Sequence, residues 1–111
     1  MNELADKKCI PCEGGISPFD REEIHKYVKK VDGWDVKSDE EKSFYLIKDF
    51  KFKNFLESQN FVNLVGNVAE VEGHHPDITF GWGYVKIKIY THAIKGLAES
   101  DFILAAKIDK I

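Results

Sequence analysis

Cysteine is scarce: Cys9 and Cys12 are the only two in 111 residues, and they lie in one short segment. They cannot form the disulfide framework of a small secreted domain, so an intracellular protein is expected. A basic excess is missing too. Lys and Arg total 16 against 19 Asp and Glu, a formal net charge of -3. Bulk attraction to a phosphate backbone is therefore disfavoured, and no nucleic-acid partner is expected. No apolar run approaches the ~18 residues of a membrane span, so no membrane partner is expected either. The stretch from Met1 to Lys8 has no apolar h-region, which argues against a secretory signal and for a cytoplasmic location. Absent as well are G-x-G-x-x-G, the Walker A pattern and the G-x-S-x-G elbow, the usual marks of dinucleotide, P-loop and α/β-hydrolase sites. Internal repeats and low-complexity tracts are likewise missing.

What is present suits a single globular domain. Hydrophobic residues make up 43% and aromatics 13%, with eight Phe, four Tyr and two Trp. Large rings bury much area per residue, so one core can form at this length. Residues 1–16 read as a loose polar leader and 17–111 as one domain. Ser17-Pro18-Phe19-Asp20 predicts a helix start capped by Ser17, with Ile24, Tyr27, Val28 and Val31 at helical spacing and Gly33 as the stop. Trp34-Asp35-Val36 and Phe44-Tyr45-Leu46-Ile47 predict a hairpin across a polar turn at Ser38–Lys42. From Asn54 to about Val71 the period is helical again, with Phe61, Leu64, Val65, Val68 and Val71 on one stripe and Gly73 at the end. Ile78–Trp82 predicts a strand, and Tyr84–His92 another, with Val85, Ile87, Ile89 and Thr91 on one face and Tyr84, Lys86, Lys88, Tyr90 and His92 on the other. A last helix carries Leu97, Asp101, Leu104, Ile108 and Ile111 on one stripe. The order α-β-β-α-β-β-α gives an α+β fold, a four-stranded antiparallel sheet with three helices on one face.

The residues able to do chemistry cluster late in the chain. His74-His75-Pro76 follows a helix-ending glycine, and Pro76 stiffens the connector. Imidazole titrates near pH ~6.5, so such a pair can supply both acid and base. Glu70 lies one helical turn before His74 and could hold an imidazole in one tautomer. Asp101 sits on a core-facing stripe, where a bare carboxylate is costly. It needs a partner such as histidine, unless it only answers the N-terminal dipole of its helix. His25, between Ile24 and Tyr27, reads as a surface residue. A zinc site from Cys9, Cys12, His74 and His75 is disfavoured, because adjacent histidines rarely both reach one ion. The cysteine pair opens no helix after a strand, which disfavours thioredoxin-like redox chemistry.

Glu70-x-x-x-His74-His75-Pro76, followed by Trp82, His92 and Asp101 at their present spacings, resembles the signature of the pterin-4a-carbinolamine dehydratases. The likeness runs from about Trp34 to Ile108, and the order of helices and strands agrees with that family's fold. The resemblance implies dehydration of 4a-hydroxytetrahydropterin to the quinonoid dihydropterin, as part of tetrahydrobiopterin recycling. It implies His75 as a pterin-binding and catalytic group, and His74 and His92 as acid and base. Glu70 and Asp101 would hold the histidines, and Pro76 and Thr91 would line the substrate site. No cofactor and no metal are implied; the partner is a small pterin and, as in the family, a second copy in a homodimer or homotetramer. Two positions depart from the pattern: Ala93 stands where animal members often carry Glu, and Ala98 where many carry Ser or Thr. The apolar hairpin strand and lightly guarded edges, the Tyr84–His92 strand among them, also point to self-association. Alternatives are a non-catalytic binding or dimerisation module of the same fold, and a pterin enzyme of molybdopterin metabolism.

Overall fold

The computed structural model describes residues 3–7 and 17–111; Cys9 and Cys12 lie outside the described residues. The first helix, α1 (Arg21–Val28), is capped by Asp20, whose carboxylate accepts the Glu23 N–H at 2.9 Å. The cap therefore falls three residues later than Ser17. Gly33 lies beyond the helix, in a left-handed turn that feeds strand β1 (Asp35–Ser38). Asp39 closes the following turn by accepting the Glu41 and Ser43 N–H groups. Strand β2 (Phe44–Lys51) is longer than its apolar start suggested.

Helix α2 (Phe55–Glu72) begins at Asn54, which caps the Glu57 N–H at 2.9 Å. It ends at Gly73 in the left-handed region, φ 66°, whose N–H returns to the Ala69 carbonyl. Strands β3 (Asp77–Gly81) and β4 (Tyr84–Ile89) form a hairpin around Trp82 and Gly83. Helix α3 (Glu99–Asp109) completes the domain.

The sheet is antiparallel throughout, in the order β1-β2-β4-β3. The strand from Tyr84 is thus central, and the edges are β1 and β3, which corrects its reading as an edge. Val85, Ile87 and Ile89 are fully buried beneath the helices, as the alternation predicted. The register sets Leu46 opposite Ile89 and Phe50 opposite Val85, which extends that layer across β2.

Helix α3 is buried on nearly every side from Ser100 to Ala106, not on one stripe. A helix surrounded in this way is the centre of the helical layer. On α2 the stripe is also different: Val65 is buried, but Leu64 and Val71 are 49% and 83% exposed. Residues 3–7 are not loose. Glu3–Asp6 form a short 3-10 turn against α3, with Leu4 in the core and the Lys107 ammonium on the Ala5 carbonyl.

Candidate active site

Three segments meet where β4 ends and β3 begins: the connector Gly73–Pro76, the loop after Ile89 and the start of α3. Each has a local cause. The Gly73 turn lets the His74 N–H also reach Ala69 O, at 3.2 Å, which swings the chain across the helix end. After β4, Thr91 pairs with Gly96 and closes a tight loop containing a 3-10 turn, His92–Ile94, and left-handed Lys95. Gly96 is required there, since a Cβ would lie 2.7 Å from the Pro18 Cβ.

Asp101 is the centre of the arrangement and is fully buried. Its Oδ1 lies 2.7 Å from His74 Nε2. Its Oδ2 accepts the Thr91 hydroxyl at 2.7 Å and the Ala98 N–H at 2.8 Å. Ala98 is the N-cap of α3 without a capping side chain, so Asp101 stands at the third helical position and supplies half of a capping box. Asp101 thus answers the helix N-terminus but does not only do that, since it also bonds an imidazole. Accepted donors on both oxygens offset much of the cost of burying a carboxylate. A carboxylate partner assigns the proton to His74 Nε2 and leaves Nδ1 as an acceptor in the neutral ring.

Glu70 departs from its expected partner. It hydrogen-bonds His75, not His74, because the Gly73 turn carries His74 inward to Asp101 and leaves His75 above the last turn of α2. This second pair is open to solvent, with the His75 and Glu70 side chains 61% and 78% exposed. His92 opens the 3-10 turn beyond the strand, since β4 stops at Ile89. Its exposed ring rests on the Tyr90 ring, with centroids 4.3 Å apart. Thr91 links the two segments: it precedes His92 and shares the Asp101 carboxylate with His74. Pro76 is half-buried just before β3, and His25 is exposed on α1.

Trp82 lies at the other end of the β3–β4 hairpin and is 71% exposed. Tyr90, the ring neighbour of His92, was not singled out in the sequence; the only signal was its place two residues before His92 on the same predicted face. Among the described residues no group of three or more His, Cys, Asp or Glu side chains is arranged to hold a metal ion. No helix among them is long and apolar enough to cross a membrane.

The chain is similar to known proteins over its whole length. The family model described as pterin 4 alpha carbinolamine dehydratase matches residues 17–111. A protein of Rubrobacter xylanophilus, provisionally named as such a dehydratase, is 47% identical over 111 residues and is covered completely, as is this chain. One from Alkaliphilus metalliredigens with the same provisional name is 50% identical over 99% of this chain and 96% of its own. Among solved structures, a transcriptional coactivator/pterin dehydratase from Brucella melitensis aligns with a TM-score of 0.74 at 24% identity, covering 85% of this chain and 97% of that one. A pterin dehydratase-like protein described as a RuBisCO assembly factor in the alpha-carboxysome aligns with a TM-score of 0.59 at 25% identity, over 70% and 87%.

Proposed function

The chain belongs to the pterin 4 alpha carbinolamine dehydratase family, and from that premise we propose that it dehydrates 4a-hydroxytetrahydropterin to the quinonoid dihydropterin and water. The observation that carries the reading is the buried Asp101 carboxylate shared by His74 and Thr91. In the reaction the 4a-hydroxyl takes a proton and leaves as water. A ring nitrogen's electron pair closes the C=N bond, and that nitrogen gives up its proton. Atoms and charge balance without an oxidant or reductant. His74 and His92 serve as acid and base at these positions. His75, held by Glu70, binds the pterin and takes part in the transfer, while Pro76 and Thr91 border the substrate. A positioned acid–base group contributes roughly 10²–10⁴-fold, which sets the loss expected from each histidine.

Tetrahydrobiopterin recycling in the cytoplasm is the setting we assign to this activity. The exposed Leu56, Leu64 and Val71 of α2 support a second copy, in a homodimer or homotetramer, since apolar groups spread along one helix favour a contact. The same groups, and the assembly factor among the structural relatives, favour a second reading as a binding module.

Stopped-flow absorbance with 4a-hydroxytetrahydropterin separates the two readings. Turnover that falls by ~10²-fold or more in His75→Ala, with the fold kept, is the expected result. No acceleration over the uncatalysed reaction by the native protein would leave the binding module. Light scattering of the same sample reads the assembly, and a sole species at 12.7 kDa would refute the oligomer.

A further inference from the structure

Each imidazole of the candidate site is held differently. His74 has the buried Asp101 and His75 has the exposed Glu70. His92 has an aromatic neighbour instead. The Tyr90 and His92 centroids are 4.3 Å apart with planes inclined at 42°. That is slightly closer than the ~4.5–7 Å usual for aromatic pairs. Tyr90 is itself fixed: it is half-buried and packed against the core just past the end of β4.

The contacts continue beyond Tyr90. The Lys88 ammonium lies 5.3 Å from the Tyr90 centroid and 4.3 Å from the Tyr45 centroid. Both distances are within the ~6 Å reach of a cation–π contact. Tyr45 belongs to β2, the strand paired with β4, so the series Tyr45, Lys88, Tyr90, His92 is anchored on two central strands. A ring on a 3-10 turn would otherwise be free to rotate into solvent. An acid–base group must lie within hydrogen-bond reach of its proton, so that freedom would be costly to the reaction.

We propose that Tyr90 is a positioning residue for His92, fixing the imidazole by a tilted ring-on-ring contact where the other two histidines use carboxylates. The inference rests on the reading of His92 as an acid–base group and deepens it. The contact needs the aromatic ring of Tyr90 and not its hydroxyl.

NMR tests the ring contact apart from the reaction. In the native protein the His92 ring protons should show cross-peaks to the Tyr90 ring and resonances shifted upfield; their absence overturns the proposal whatever the variants do. In Tyr90→Leu those resonances should return toward free-histidine positions while those of His74 and His75 stay. Turnover, kcat, should fall about tenfold with KM within about twofold, short of the ~10²-fold that a full misplacement can cost. Tyr90→Phe should restore both. Unchanged kcat in Tyr90→Leu, or a Tyr90→Phe variant as slow as Tyr90→Leu, overturns the positioning role. His92→Ala separates the parent reading: if it keeps full turnover, that reading fails and the ring contact has no catalytic use. If Tyr90→Leu does not fold, the native cross-peaks and the Tyr90→Phe kinetics still decide.

Discussion

At the scale of single residues the decisive group is Asp101, because its two oxygens carry different obligations. Oδ2 serves an amide N–H and a hydroxyl, and Oδ1 serves an imidazole. An amide in its place can keep an oxygen toward Ala98 and Thr91 only by turning its NH2 toward His74. His74 must then accept at Nε2 and carry its proton on Nδ1, the opposite tautomer. Asp101→Asn should therefore fold, with a stability loss of about 1–3 kcal/mol. Its turnover should fall at least ~10²-fold, as when an orienting carboxylate is removed from an imidazole. A thermal melt and stopped-flow kinetics on one sample check both halves. Glu70→Gln should behave differently. Its side chain and that of its partner His75 are both mostly in solvent, so stability should move by no more than about 0.5 kcal/mol in denaturant titration, while turnover drops.

At the scale of elements, two glycines set the segments that carry the histidines, and they act for different reasons. Gly73 is left-handed, but no atom would meet a Cβ there within 4 Å. Gly73→Ala should cost about 1–2 kcal/mol from backbone strain alone, with kinetics altered because His74 and His75 follow directly. Gly96 is blocked by Pro18, which lies next to the Phe19 N–H bonded to Leu97 O at 2.7 Å. Gly96→Ala must displace that segment, and a loss of about 1–3 kcal/mol in urea titration is expected. How far such elements were legible follows from the physics of each. The Val85–Ile89 alternation and the Gly73 stop are local signals, and the strand, the helix end and the fold class could be read from them. Sheet order is not local, so β4 was misread as an edge. Tertiary burial overrode the amphipathic stripe on α3. In the site, Asp101 announced itself as an acid among apolar neighbours. The exchange of partners that gives Glu70 to His75 depends on a left-handed turn, which residue spacing on a straight helix does not contain.

At the scale of the whole molecule, the short turn at residues 3–7 bears on α3, the helix that carries Asp101. Leu4 is 3% exposed in the core, and burying such a side chain contributes about 1.5–3 kcal/mol. Lys7 bridges to Glu99 at 3.0 Å, but those side chains are 52% and 35% exposed, so the pair contributes roughly 0–1 kcal/mol. Burial outweighs the ion pair, and Leu4→Ala should lower the melting temperature clearly more than Lys7→Ala. The ion pair adds a pH dependence. The hydrogen bond from the Lys7 ammonium, helped by that from Tyr27, holds the Glu99 carboxyl below its ordinary value of 4.5. Its contribution is therefore full above that value and is lost as pH falls through the lowered one. Burial, and then the Glu99 carboxylate, push the Tyr27 phenol above its ordinary 10.0. That contribution is full below 10.0 and is lost as pH rises through the raised value. The docked turn should thus be firmest between those limits. Hydrogen exchange at the α3 amides Phe102 and Ile103, corrected for intrinsic rates, should show protection that weakens on acidification below about pH 4.5. Glu99→Gln should remove much of that acid dependence and leave the Leu4 contribution in place. A protection profile unchanged by Leu4→Ala would mean that the turn does not support the helix at all.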